Sequence, residues 1–311
     1  MSLCALGALG CGAPSEAARD RALLRLTTGH PGAFFNPLGA ALITSLSTAM
    51  PDVTFEVVPS GGALENLDFL QQSRADLGLT FADIAYLAYG GQLDEQSFAF
   101  DRLRGVAVLQ LTAVHVLVLK SSGITSVAQL AGRRVALGPR GSGTSVTAQV
   151  LLAAYDVPMT AITSDFLPFL EAATGLVRGD LDAIFVSAGF PAESVISATA
   201  AGATLLDIDG KSVERLRSDY PFLRAVVIPV GTYPSVDRPI STVGIDALIV
   251  CASTLDEEVV YRTTKSLFDS LPTLARKVDA LRRMDIARAP ATPIPLHSGA
   301  ARYYRERELF R

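Results

Sequence analysis

The 311-residue chain has no tryptophan, three cysteines and three histidines, and 19% of its residues are charged. Each shortage excludes something. Cys4 and Cys11 lie at the very start, which leaves Cys251 as the one thiol of the main body; an internal disulfide framework is excluded. His30, His115 and His297 are far apart and join no Cys/His cluster, so the spacing offers no transition-metal site, and each reads as an isolated polar residue. The net charge is −4, from 27 basic and 31 acidic residues, with no basic stretch. Nucleic acid is not an expected partner, because phosphate binding needs concentrated Lys and Arg. The mean hydropathy is +0.34, yet beyond residue 20 no uncharged apolar run reaches the roughly 18 residues of a membrane span. The apolar material therefore belongs to buried strands. Neither G-x-x-x-x-G-K-[ST] nor a post-strand G-x-G-x-x-G occurs, and no cofactor is expected.

What is present begins with MSLCALGALGCGAP, small and apolar, followed by polar Ser15–Asp20. The pattern is that of the end of a secretory signal, so export to the periplasm is expected, with residues 1–20 as a signal remnant. Ala8-Leu9-Gly10-Cys11 resembles a lipobox, although Ala8 stands where Leu is usual; Cys11 would then carry a lipid anchor. The alternative is a hydrophobic tail without either role.

From Leu23 onward strand and helix patterns alternate. Leu24–Thr28, Val53–Pro59 and Asp76–Thr80 read as strands. Leu38, Ala41, Leu42, Ser45 and Leu46 recur with helical spacing, and Leu64–Ser73 is a second helical run. After the apolar strand Val114–Leu119 the rhythm restarts. Arg134–Gly138, Phe166–Phe169, Ala183–Val186, Thr204–Ile208, Val226–Val230 and Val243–Val250 read as strands, and a helical section starts at Asp256. The βα rhythm predicts an α/β protein with a mostly parallel sheet, folded as two lobes joined by crossing strands. The lobes are placed at 21–118 plus 233–311 and at 119–232, with a ligand cleft between them at the carboxyl ends of the strands.

Three Gly-rich turns each follow a strand and open a helix: Thr28–Ala33, Ser60–Ala63 and Gly138–Ser145. Unpaired N–H groups in a helix's first turn, with the positive end of its dipole, make an anion site that needs no charged side chain. Ser60, Ser142, Thr144 and Ser145 add hydroxyls. Turns of this kind also occur as plain βα connections, but three at one sheet edge favour a carboxylate-sized ligand. Gly141-Ser142-Gly143 is not a G-x-S-x-G elbow, and no His stands ready as its base. Glu171, Asp180 and Asp182 read as helix-cap and surface residues rather than an acid/base pair. An enzyme is not expected.

The runs SGGALENL (60–67), ADLGLTFADIAYLAY (75–89), GITSVAQLAGRRVALGPRGSGTS (123–145), DAIFVSAGFP (182–191), YPFL (220–223), IPVGTYPSVD (228–237) and IPLHSGAARYY (294–304) resemble the TAXI family in order and spacing. These are extracytoplasmic solute receptors of TRAP transporters. The resemblance implies a type II periplasmic-binding-protein fold, a small carboxylate-bearing ligand (an organic acid or amino acid), a monomer, and a membrane permease as partner. It places ligand contacts at Thr28, Gly29, Phe34 and Phe35, at Ser60, Gly61 and Ala63, and at Asp83. In the second lobe it places them at Gly141, Ser142, Gly143, Thr144 and Ser145, at Phe169, and at Ala188 and Gly189. The chain departs from the family where Phe34-Phe35 replaces Tyr-Tyr and where Phe81-Ala82 replaces Gln-Ser. Arg140 stands where a small residue is usual, and both Phe81 and Arg140 join the candidate site. Loss of side-chain hydrogen-bonding groups points to a monocarboxylate with a more apolar body than glutamate; packing of these Phe side chains into the lobe core would instead leave a glutamate or dicarboxylate site. An enzyme or a sensor module on the same scaffold remains the competing reading.

Overall fold

Apolar residues at helical spacing and at strand spacing divide this chain cleanly, and the computed structural model describes residues 22–29, 35–93, 99–220, 222–278, 281–282 and 284–309. The first block runs β1 (Ala22–Thr27), α1 (Phe35–Ala49), β2 (Val53–Val58), α2 (Ala63–Gln71), β3 (Leu77–Phe81) and α3 (Ala82–Tyr89). In α1, Leu38, Leu42 and Leu46 form the buried stripe that the spacing predicts. Helix α3 was not apparent in the sequence.

The second block follows the long strand β4 (Leu103–Leu119). It runs β5 (Arg134–Ala136), α4 (Gly143–Ala154), β6 (Thr163–Asp165), α5 (Phe169–Arg178), β7 (Ala183–Ala188), α6 (Glu193–Ala200), β8 (Ala203–Leu205), α7 (Gly210–Asp219) and β9 (Arg224–Ile228). The chain returns through β10 (Ile240–Ala252) to α8 (Glu257–Lys277) and α9 (Ser298–Glu306). Asp256 caps α8, its carboxylate accepting the Val259 N–H at 3.0 Å. The strand expected at Phe166–Phe169 does not form. Pro168 is instead the N-cap of α5, with Glu171 in the first turn, a helix-start pattern that the apolar run concealed.

All ten strands join one sheet, ordered β2-β1-β3-β10-β4-β7-β5-β6, with β8 on β4 and β9 on β10. The sheet is mixed, not mostly parallel. Parallel pairing is confined to β1 with β2 and β3, and to β5 with β6 and β7. The two crossing strands pair antiparallel with each other and with every neighbour. They change partners in mid-strand: β4 leaves β10 at Ala113, where its pairing with β7 begins, and β10 meets β9 from Gly244 back to Ile240. Both strands are buried on two faces along most of their length, which is why Val114–Leu119 and Val243–Val250 read as apolar runs. Beside the crossing, Asp246 is buried and accepts hydrogen bonds from Arg224 of β9 and from Arg288 of the C-terminal segment.

Candidate functional site

The Gly-rich turns and the carboxyl ends of the strands converge on a cavity of about 470 Å³ between the two blocks. One wall comes from the first block: Gly29, Phe35, Gly61, Gly62, Ala63 and Phe81. The Phe35 and Phe81 rings lie 4.7 Å apart, centroid to centroid, and make this wall apolar. Gly62 has φ 144° at the N-cap of α2, with no side-chain cap bond. A side chain is strained at that angle. A Cβ there would also lie 3.6 Å from Gly141 O and Ser142 Cα, so the turns of the two blocks face each other across a narrow gap.

Asn66 shapes this wall from behind. Its Oδ1 accepts from Thr27 Oγ1 at 2.6 Å and from Ser60 Oγ, while Nδ2 donates to the carbonyls of Thr28 and Leu79. Fully buried, it uses its whole hydrogen-bonding capacity to tie β1, β3 and the β2–α2 turn together. No local pattern marks Asn66, because its partners lie up to 39 residues away.

The second block supplies the polar wall. Ser142, Gly143 and Thr144 open α4, and Ser142 Oγ caps that helix by accepting the Ser145 N–H at 3.3 Å. Pro168, Phe169 and Leu170 open α5. Ser187 and Ala188 end β7, and Ala192, Glu193 and Ser194 open α6. Together with α2, the N-termini of α4, α5 and α6 all border the one cavity. Their unpaired N–H groups and dipoles make it receptive to an anion. Glu193 is the sole charged side chain among the described lining residues.

A buried relay holds the α6 wall. His115 Nδ1 lies 3.1 Å from Val186 O, Tyr233 Oη lies 2.8 Å from His115 Nε2, and the Ala192 N–H donates to Tyr233 Oη at 3.1 Å. Burial lowers the His115 pKa to about 4 and raises that of Tyr233 to about 12. Both are therefore neutral at ordinary pH, and this fixes the proton order. Val186 O can only accept, so Nδ1 carries the proton and Nε2 accepts from Tyr233. His115 is thus no isolated polar residue. His297 also has a structural task, accepting the Gly299 N–H at the start of α9.

Ten expected site residues line the cavity: Gly29, Phe35, Gly61, Ala63, Phe81, Ser142, Gly143, Thr144, Phe169 and Ala188. Phe34, like Cys11, lies outside the described residues. Ser60 Oγ donates to Asn66 Oδ1, and Thr28 is buried with its carbonyl accepting from Asn66 Nδ2 and its hydroxyl on Gly29 O. Gly141 and Ser145 support the α4 turn, and Gly189 follows β7, none of them in the lining. The Arg140 guanidinium packs 4.1 Å over the Phe166 ring rather than in the cavity. Asp83 is buried behind the Phe wall, its Oδ1 accepting the Ile84 N–H, and burial raises its pKa to about 6. Thr147 Oγ1 of α4 meets both Asp83 Oδ2 and Gly143 O. Thr147 donates to Asp83 Oδ2 while the carboxyl is ionised; once protonated, Asp83 can donate to Thr147 and free the Thr147 proton for Gly143 O. Asp83 joins the blocks instead of touching the cavity. Gly62 and Pro139 belong to two of the expected turns, whereas Pro168, Leu170, Ser187 and the α6 residues were not anticipated.

Two βα lobes closing on a cleft at the carboxyl ends of their strands define a periplasmic-binding-protein fold, and solved structures share it. A Xanthomonas citri protein bound to ATP superposes with a TM-score of 0.54 at 12% identity, over 93% of this chain and 100% of that one. A structure described as a periplasmic transporter gives 0.53 at 13% identity, over 94% and 95%. A putative periplasmic sulfonate-binding protein from Methylobacillus flagellatus KT gives 0.51 at 14%, over 82% and 70%. Residues 26–307 match the NMT1-like family, and the chain belongs to it. No helix among the described residues is long and apolar enough to cross a membrane.

Proposed function

We infer that the protein is a periplasmic solute receptor that takes up a small acid with one carboxylate and presents it to a membrane permease. The carrying observation is the cavity of about 470 Å³ bordered by the starts of α2, α4, α5 and α6 and, among the described residues, by no cationic side chain. An anion held there gains roughly 0.3–2 kcal/mol from each helix terminus it meets, more when shielded from water. Phe35, Phe81, Phe169 and Leu170 favour an apolar body on the same molecule.

The motif resemblance supports the TAXI branch and a TRAP permease, with an exported monomer. The hinge falls in the crossing strands, near Ala113 and Gly244 where they change partners, with the lobes on either side. The likeness to a sulfonate-binding protein makes a sulfonate the second anion to try.

The test is native mass spectrometry of the purified protein, followed by thermal-shift screening with branched and aromatic monocarboxylates, glutamate and alkanesulfonates. Retention of a small acid and stabilisation by a monocarboxylate are expected. Stronger stabilisation by glutamate would overturn the apolar-body reading, and stabilisation by sulfonates alone would overturn the carboxylate.

A further inference from the structure

Asp83 of α3 and Thr147 of α4 meet from opposite blocks, with Thr147 Oγ1 hydrogen-bonded to Asp83 Oδ2. Their positions tie this contact to the cavity. Phe81 and Gly143 line its two walls; Asp83 follows Phe81 by two residues, and Thr147 stands one turn beyond Gly143 on α4. Asp83 is 1% exposed, yet its surroundings offer no positive charge. Packed against α3 are β3, α2, α4 and β10, and neither they nor α3 carry Lys, Arg or His. Strand β3 and helix α4 have no ionisable side chain. Glu65 of α2 accepts the Gly61 N–H, Asp246 of β10 is paired with Arg224 and Arg288, and burial keeps the Cys251 thiol neutral. Asp68 of α2 and Tyr86 and Tyr89 of α3 complete the set. Burying an ionised carboxylate without a cation is costly. Its donors here are few: the Ile84 N–H binds Oδ1, and the Thr147 hydroxyl is shared with Gly143 O. The contact is best satisfied with Asp83 protonated, in keeping with a pKa raised by burial to about 6.

We propose that Asp83 makes closure of the two blocks proton-linked: its carboxyl is protonated where it packs on Thr147 and gives that proton to water when the walls part. This rests on the receptor reading above and adds a regulation of the same site. The sign follows from the two states. In the closed state the carboxyl titrates near 6, and once exposed by opening it returns toward its ordinary 3.8. Closure therefore takes up a proton between these values, and the protonated form favours the closed state. Solute is held more tightly at mildly acidic pH and let go more readily as pH rises through 6.

The experiment titrates the full chain calorimetrically with isovalerate, glutamate and butanesulfonate from pH 5 to 7, in buffers of different ionisation enthalpy, for the wild type, Asp83→Asn and Thr147→Val. Any probe that binds the wild type should do so roughly tenfold more tightly at pH 5 than at pH 7, with uptake of about 0.7 proton at pH 5.5 beyond that of Asp83→Asn. Comparison with Asp83→Asn, which cannot titrate, subtracts the probe's own ionisation. Thr147→Val removes a donor to the ionised carboxylate and should move the fall in affinity to higher pH. One pH profile and one proton uptake shared by the wild type and Asp83→Asn overturn the linkage and leave the receptor reading standing. If Asp83→Asn does not fold, an unmoved profile in Thr147→Val overturns the linkage instead. Failure of all three probes to bind the wild type overturns both.

Discussion

The two walls of the cavity are built on opposite plans. Among the described residues, the first-block wall turns its polar side chains away: the Thr27 and Ser60 hydroxyls bond Asn66, Thr28 Oγ1 donates to Gly29 O, and what lines the cavity is two Phe rings and bare backbone. The second-block wall is lined by Ser142, Thr144, Ser187 and Glu193 and by the starts of three helices. One side senses shape and the other polarity. On the receptor reading proposed above, the body of the ligand could change against one wall without rebuilding the anion site on the other.

The largest expected effect comes from forcing the two walls apart. A Cβ at Gly143 would lie 2.3 Å from the Phe81 ring, so Gly143→Val should abolish binding, by more than about 100-fold. Circular dichroism should show an intact fold, because the conflict lies between lobes. Unchanged affinity by calorimetry would remove α4 from the site.

The inner scaffold of the shape-sensing wall comes next. Asn66→Ala leaves the Thr28 and Leu79 carbonyls and two hydroxyls without their partner. A stability loss of about 3 kcal/mol is expected from denaturant midpoints. A loss below about 1 kcal/mol would show that the network is dispensable.

Asp83 tests the join between the lobes. Its pKa is raised from 3.8 to about 6 by burial. The protonated form is therefore the one the fold favours, and its stabilisation is complete below about pH 4 and lost as pH rises through 6. The swing is on the order of 2–3 kcal/mol. Asp83→Asn, whose amide can also donate to Thr147, should flatten this residue's part of the stability–pH profile between pH 4 and 7. An identical profile in the variant would mean that Asp83 does not titrate there.

A smaller change should follow Tyr233→Phe, which cuts the relay to the Ala192 N–H. Affinity is expected to fall roughly three- to tenfold, with about 1 kcal/mol of stability lost. Arg140→Ala should be smallest, under about twofold in affinity, since the guanidinium stacks on Phe166 outside the lining. A larger loss would restore Arg140 to the site.

The polarity-sensing wall was the more readable in the sequence, and only in part. The α4 turn could be found because Gly, Ser and Thr in a strand-to-helix step carry a local meaning. Ser187 could not, because its place in the lining depends on a cavity assembled from distant segments. Asp83 looked like a ligand contact by motif position, but burial against α4 is a tertiary fact. The first half of β4 was hidden by Arg104, Gly105 and Gln110, which break its apolar run. Helix α5 was read as a strand through its first residue, because Phe166, Leu167 and Phe169 masked the start signal of Pro168 and Glu171. Patterns that repeat within a few residues were recoverable; contacts set by the return of the chain were not.

The crossing strands give the molecule a mechanical character. β4 and β10 form one antiparallel ladder from Leu103–Ala252 to Ala113–Gly244, and each continues beyond it into the other lobe's pairing. Such a ribbon resists stretch and sideways slip, because either would break many ladder bonds together, but it bends and twists at little cost. If the blocks open and close as the receptor reading proposes, this ladder would confine the motion to rotation and bring the two walls back to the same register on every closure.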